Sequence, residues 1–150
     1  MDGSEVATDY VHRNAELNGV ADTVGSIQGD AFAAMKQLIA DGEKYDLVVL
    51  DPPAFIKRKK DFKNGLAGYH AINELAMRLV KPGGYLVSAS CSMHMPAERL
   101  LDVVHSSARH IDRSIQVVGY EGQGPDHPVH PAIAETAYLK TWFCRVLFSL

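Results

Sequence analysis

Apolar positions along the chain switch between a helical and an extended spacing. From Ser4 to Leu17 the residues Val6, Ala7, Tyr10, Val11, Ala15 and Leu17 recur at three- and four-residue intervals, which predicts a helix with that stripe turned inward. Asp2 or Ser4 can cap its start, and Asn18-Gly19 can end it. "VGSIQ" (24–28) reads as a short strand, and a second helix is predicted over about 31–40 with Phe32, Met35, Leu38 and Ile39 inward. After the turn "DGEK", the segment "YDLVVL" (45–50) is almost continuously apolar, as in a strand buried on both faces of a parallel sheet. The loop "DPPAFIKRKKDFKNG" precedes a helix predicted over about 67–80, with Ile72, Leu75, Ala76, Leu79 and Val80 inward. "KPGG" ends it, and "YLVSAS" (85–90) is the next strand. Pro96 suits the first turn of a helix that runs to about His110, with Leu100, Leu101, Val104 and Ala108 inward. Segments 114–120 and 138–148 close the chain as a strand pair, expected to be antiparallel.

Strand and helix thus alternate from Val24 to His110. That order implies an α/β fold, an open sheet with helices on both faces. Ligands of such sheets sit beyond the carboxyl ends of the strands. The residues in those places are Gly29-Asp30, Asp51-Pro52-Pro53 and Ser90-Cys91-Ser92, with Asp2-Gly3 a fourth if a strand precedes it.

Composition narrows the chemistry. The 150 residues make one domain or part of one. A net charge of −3 provides no global pull toward nucleic acid or an anionic membrane, so any such contact needs a local patch. No apolar run approaches the roughly 20 residues of a transmembrane helix, and the polar start "MDGSE" is not that of a signal peptide. Two cysteines, Cys91 and Cys144, make no disulfide framework and no C-x-x-C pair, so a reducing, cytoplasmic setting is expected. The seven histidines are scattered. His127 and His130 come nearest to a ligand pair, but "DHPVHP" is a proline-stiffened loop without further ligands at motif spacing, and no metal is expected there.

A lone acid after a strand, such as Asp30, is either a helix cap or a ligand. Asp51 is more pointed. Two prolines follow it, fixing two φ angles and removing two backbone donors. The resulting ledge leaves carbonyls free to accept from an exocyclic amine, with Phe55 nearby as a surface for stacking a base. Lys57, Arg58, Lys59, Lys60 and Lys63 follow, five of the chain's 15 basic residues, opposed only by Asp61. Such a run suits a phosphate backbone arriving at the same rim; a solvated loop is the alternative. Cys91 stands at a strand's end, whereas Cys144 lies inside the apolar "TWFCRVLF" and reads as core.

"YDLVVLDPPAF", Gly68-Tyr69, "KPGGYLVSASCS", "DHPV" and "YLKTWFCRVL" stand in an order that resembles bacterial S-adenosylmethionine-dependent methyltransferases of the large-subunit rRNA 5-methylcytosine type. The resemblance covers essentially the whole chain. It implies a Rossmann-like class I methyltransferase sheet, mostly parallel with an antiparallel C-terminal strand pair. Asp2 would hold the ribose hydroxyls of S-adenosylmethionine, and Asp30 with the backbone of Ala31 the adenine edge. Asp51 and Pro52 would lie at the methionine end. Pro53, Phe55 and the basic run would meet RNA, and Cys91 would be the nucleophile that adds to cytosine C6, with Asp51 holding a proton at N3. The expected partner is large-subunit rRNA, with a homodimer as a further expectation. Two other functions stay open: nitrogen methylation of a base on the Asp51-Pro52-Pro53 ledge, and an inactive RNA-binding or assembly remnant.

The family's first strand, its glycine-rich loop and its N-terminal RNA-binding PUA domain have no counterpart here; "GYEGQG" (119–124) has the wrong spacing for that loop. The expectation is therefore the C-terminal part of a longer methyltransferase, or a truncated gene product. By itself it should hold S-adenosylmethionine weakly and expose unpaired sheet edges.

Overall fold

The computed structural model describes residues 1–148. They form two compact units, Met1–Glu43 and the segment from Lys44 onward.

The first unit contains α1 (Glu5–Leu17) and α2 (Ala31–Ala40). Ser4 caps α1, its Oγ accepting from the Ala7 N–H, and Asn18 ends it. The predicted strand 24–28 shrinks to a single parallel bridge between Gln28 and Asp2. The Asp2 N–H donates to the Ile27 carbonyl at 3.1 Å, and the Gly29 N–H to the Asp2 carbonyl at 2.9 Å. One rung is all that Asp2 can offer before the chain turns into α1. The stripe expected to face inward on α1 is also corrected. Val6, Tyr10 and Leu17 are 64%, 55% and 82% exposed, and only Thr8 and Ala15 are buried. Periodicity marks a face that can be buried; it does not supply the surface that buries it.

The second unit is a four-stranded sheet with two helices. Its elements are β1 (Tyr45–Leu50), α3 (Phe62–Leu79), β2 (Val80–Ser90), α4 (Ala97–His110), β3 (Arg113–Glu121) and β4 (Lys140–Phe148). Sheet order is β1-β2-β4-β3, with β1 and β2 parallel and β4 antiparallel to both neighbours. The expected antiparallel closing pair is present. Helix α3 starts five residues earlier than its apolar period suggested, at Phe62, directly after a 3₁₀ turn over Lys59–Asp61. The segment "KPGG" does not simply stop the helix. It lies in β2 as an irregularity between the Tyr45–Val80 and Leu47–Tyr85 pairings, where Gly83 takes φ +80°.

Helices α3 and α4 pack on each other and on the same side of this sheet. Between them and the strands lies the core: Ile72, Ala76, Met77, Leu79, Leu86, Leu100, Val104, Cys144 and Val146. Strand β1 correspondingly fails the double burial that its sequence suggested. Leu50 is buried, but Leu47 and Val49, which alternate to the other face, are 54% and 60% exposed. With β1 at the edge of the sheet, one face and one row of backbone groups lack the neighbours that a central parallel strand has.

The loop after β1 presses onto α3 at glycines. A Cβ on Gly65 would stand 2.3 Å from Ile56 Cγ1 and 2.9 Å from the Phe55 carbonyl oxygen, and one on Gly68 would stand 3.2 Å from the Phe55 ring. Gly65→Ala gains helix propensity but must push that loop away. A net loss of about 1–2 kcal/mol is expected, the overpacking cost exceeding the propensity gain, and denaturant unfolding of the variant measures it.

Candidate active site

Parallel pairing brings the carboxyl ends of β1 and β2 side by side. Leu50 is level with Ser88, so Asp51 lies one residue and Cys91 three residues beyond a shared rung. Asp51 and Pro53 are exposed while Pro52 is buried, which anchors the ledge through its middle residue.

A buried hydroxyl cluster ties the two ends together. Tyr69, 0% exposed on α3, places its hydroxyl 2.7 Å from Ser90 Oγ and 2.8 Å from Ser92 Oγ. Ser92 Oγ accepts from the Ile56 N–H at 3.2 Å, and the Ser92 N–H donates to Ser90 Oγ at 3.1 Å. The loop after β1 and the turn after β2 thus share one network. Ser90 and Ser92 are fully buried, and Cys91 between them is half-buried on a backbone held from both sides.

Lys140 approaches from β4, where it pairs with Ser90. Its ammonium is buried and donates to the Ser92 carbonyl at 2.7 Å and to the Tyr138 carbonyl at 2.8 Å. Burial pushes its pKa below the ordinary lysine value, and the charge of a Cys91 thiolate opposes that fall. The Lys140 cation and the Cys91 sulfur are therefore electrostatic neighbours. Neither this contact nor the Tyr69–Ser90–Ser92 network was identified from sequence. For Lys140 the available signal was a lysine opening a mostly apolar strand in "YLKTWF".

The two thiols differ as their positions suggest. Cys144 is fully buried, and burial pushes its thiol up to about 11. A disulfide-exchange reagent is expected to titrate one thiol, Cys91, in the native protein and both only in denaturant; two equivalents in the native state would contradict this assignment.

Phe55 is less open than a bare stacking surface. It is half-buried, its ring centroid is 4.9 Å from that of Tyr69, and Gly68 lies against it. The basic run leaves the same loop. Lys57, Lys59, Lys60 and Lys63 are exposed, and Arg58 pairs with Asp61 at 3.0 Å.

Asp2, Asp30 and Ala31 belong to the first unit. The bridge at Gln28 sets Asp2 beside the segment leading to Asp30. Each acid uses Oδ1 locally: Asp2 accepts from the Ser4 N–H at 2.8 Å, and Asp30 caps α2 by accepting from the Ala33 N–H at 2.9 Å. A carboxylate has further lone pairs to offer, so capping and ligand binding are compatible. Ala31 opens α2 and is half-buried. His127 and His130 serve their own loop, His127 Nδ1 lying 3.1 Å from Asp126 and His130 Nδ1 accepting from the Ala132 N–H.

No protein-family model matches the chain. Among curated proteins, it is 36% identical over 148 residues to Ribosomal RNA large subunit methyltransferase I of Erwinia tasmaniensis, covering 98% of this chain and 37% of that protein. The protein of the same name from Serratia proteamaculans is 35% identical over 148 residues, with the same coverage. Relatives of this chain are ribosomal RNA large subunit methyltransferases. The chain spans little more than a third of the length of these methyltransferases. Solved structures agree on the fold. One assigned as a SAM-dependent methyltransferase, from Streptococcus mutans, superposes with a TM-score of 0.79 over 95% of this chain and 36% of its own, at 14% identity. NSun6 from Pyrococcus horikoshii, solved with SFG, gives 0.62 over 95% of this chain and 39% of its own, at 19% identity. The likeness is one of fold: the α/β sheet and helices of this chain superpose on part of each of these structures.

Proposed function

We propose that this chain is the part of an S-adenosylmethionine-dependent rRNA methyltransferase that carries the nucleophile, and that the atom methylated is C5 of a cytosine. The observation carrying the reading is Cys91, half-exposed at the carboxyl end of β2, held by buried serines and flanked by a buried lysine. The methyltransferase relatives supply the RNA substrate class.

Cytosine C5 is a weak nucleophile. Addition of the Cys91 thiolate at C6 makes C5 enamine-like, able to take a methyl group. Asp51, on the ledge beside Cys91, holds a proton at N3 as charge builds on the ring. The C5 proton then passes to water, its electron pair re-forms the C5–C6 double bond, and Cys91 leaves as the thiolate. When bound, S-adenosylmethionine supplies the methyl group as a sulfonium substituent. Asp2 would accept from its ribose hydroxyls, and Asp30 with the Ala31 backbone would meet the adenine; the carboxylates are accessible and each has one oxygen outside its capping bond, which fits such a ligand. Asp51 and Pro52 would border its methionine end. Pro53 and Phe55 would meet the target base, and the exposed Lys57, Lys59, Lys60 and Lys63, with Arg58, would follow the RNA backbone.

The test replaces the aligned segment of the Erwinia tasmaniensis relative by this chain and supplies methyl-labelled S-adenosylmethionine with unmodified large-subunit rRNA. Labelled 5-methylcytidine is expected on digestion. An N-methylated nucleoside would move the chemistry to the ledge and make Cys91 structural. RNA retention without any methyl transfer would leave a binding module.

A further inference from the structure

A second cluster lies on the helical layer. His70 and Glu74 are one turn apart on α3, and His110 is the last residue of α4. His70 Nδ1 is 3.1 Å from Glu74 Oε1, and His110 Nδ1 makes a short contact with the same oxygen. One ligand atom from each residue lies within 4.8 Å of the other two. The imidazoles meet edge to face, with centroids 5.8 Å apart.

We propose that His70, Glu74 and His110 form a divalent transition-metal site, of the kind that takes Zn²⁺, clasping α3 to α4. Two imidazole nitrogens and one carboxylate oxygen are a borderline donor set, suited to Zn²⁺, Cu²⁺ or Ni²⁺ more than to Mg²⁺ or Ca²⁺. In a tetrahedral Zn²⁺ site with bonds of about 2.0–2.1 Å, ligand atoms stand roughly 3.3 Å apart. The His70–Glu74 spacing is already close to that, and the three ligand atoms lie within 4.8 Å of one another, so the remaining adjustment falls to the His110 ring. That ring is free to make it, being 73% exposed at a helix end.

Three features build the site. The i, i+4 spacing puts His70 and Glu74 on one face of α3. Ser107, fully buried on α4, donates to the His70 backbone carbonyl at 3.2 Å and fixes the helices against each other at this level. The carboxyl end of α4 favours a cation beside His110. The cluster borders an open groove of about 560 Å³, with Asp102 and Ser106 along its α4 wall, which leaves room for water on the remaining coordination position. Because α4 leads away from the carboxyl end of β2, His110 lies at the opposite end of that helix from the Cys91 turn. The site is therefore separate from the chemistry proposed above and does not depend on it.

The test uses the untagged 150-residue chain, stripped with a chelator and titrated with Zn²⁺ by calorimetry, then with Co²⁺ by absorbance. One equivalent should bind with a Kd of micromolar or tighter. The Co²⁺ spectrum should show ligand-field bands without an intense thiolate charge-transfer band. Zn²⁺ should raise the Tm of the protein but not of H110A. Glu74→Gln and His110→Ala should each weaken binding by about tenfold or more, the scale of losing a ligand or its support. His127→Ala and His130→Ala should leave it unchanged. Absence of saturable binding, a thiolate band, or affinity that survives both E74Q and H110A would each overturn the assignment.

Discussion

Cys91→Ala, made in the chimaeric enzyme, is expected to abolish methyl transfer to rRNA and to remove the covalent protein–RNA adduct expected of the wild-type sequence with a 5-fluorocytosine-containing substrate. The expected loss of turnover is about 10³-fold or more, the scale seen when a nucleophile is removed from a site whose other groups remain. RNA binding should change little, because the phosphate contacts proposed for Lys57–Lys63 are untouched. The size of the effect follows from the chemistry: without addition at C6, C5 has no enamine character, and no other residue on this rim can replace the thiolate. Cys144 cannot, being fully buried with its thiol pushed up to about 11. Turnover within tenfold of wild type in the Cys91→Ala enzyme would end the nucleophile assignment.

Lys140→Met gives the second large effect, and on two readouts. The ammonium satisfies the Ser92 and Tyr138 carbonyls from a buried position. Methionine keeps most of the volume but leaves both acceptors without that partner, and a stability loss of about 2–4 kcal/mol is expected in denaturant unfolding. The cation also neighbours the Cys91 sulfur. Loss of the two carbonyl bonds also loosens the turn that holds Cys91, so methyl transfer in the chimaera should fall by about 10–100-fold. A variant that lost stability but kept wild-type methyl transfer would make Lys140 purely structural. Its place explains why it can serve both ends: β4 is antiparallel to β2, so the first residue of β4 meets the last residue of β2.

Much of the chain's order could be read locally. Strands at 45–50 and 85–90, the helix ending at His110 and the antiparallel closing pair all lie where apolar period and turn residues put them, because those signals act within a few residues. The placement of Asp51 and Cys91 after neighbouring strands was legible for the same reason. Where the reading failed, the missing information was a partner. Val6, Tyr10 and Leu17 have the spacing of a buried stripe yet stand exposed, and Leu47 and Val49 have the apolarity of a central strand yet lie on an edge. The segment 24–28 has strand-like residues but only one rung to bond.

By itself, then, the sequence determined the succession of elements, the α/β class, the burial of Cys144 and the pairing of an acid-proline ledge with a thiol at successive strand ends. Only the tertiary structure decided what surrounds that thiol. Tyr69, Ser92 and Lys140 meet there from α3, the turn after β2 and β4, at separations of 23 and 48 residues. The same holds for His70, Glu74 and His110, because α4 meets α3 only after the chain has run through β2, which puts 36 residues between Glu74 and His110. Local patterning fixes backbone periods through short-range sterics and burial; side-chain constellations depend on which surfaces the packed layers bring together, and no short-range term carries that.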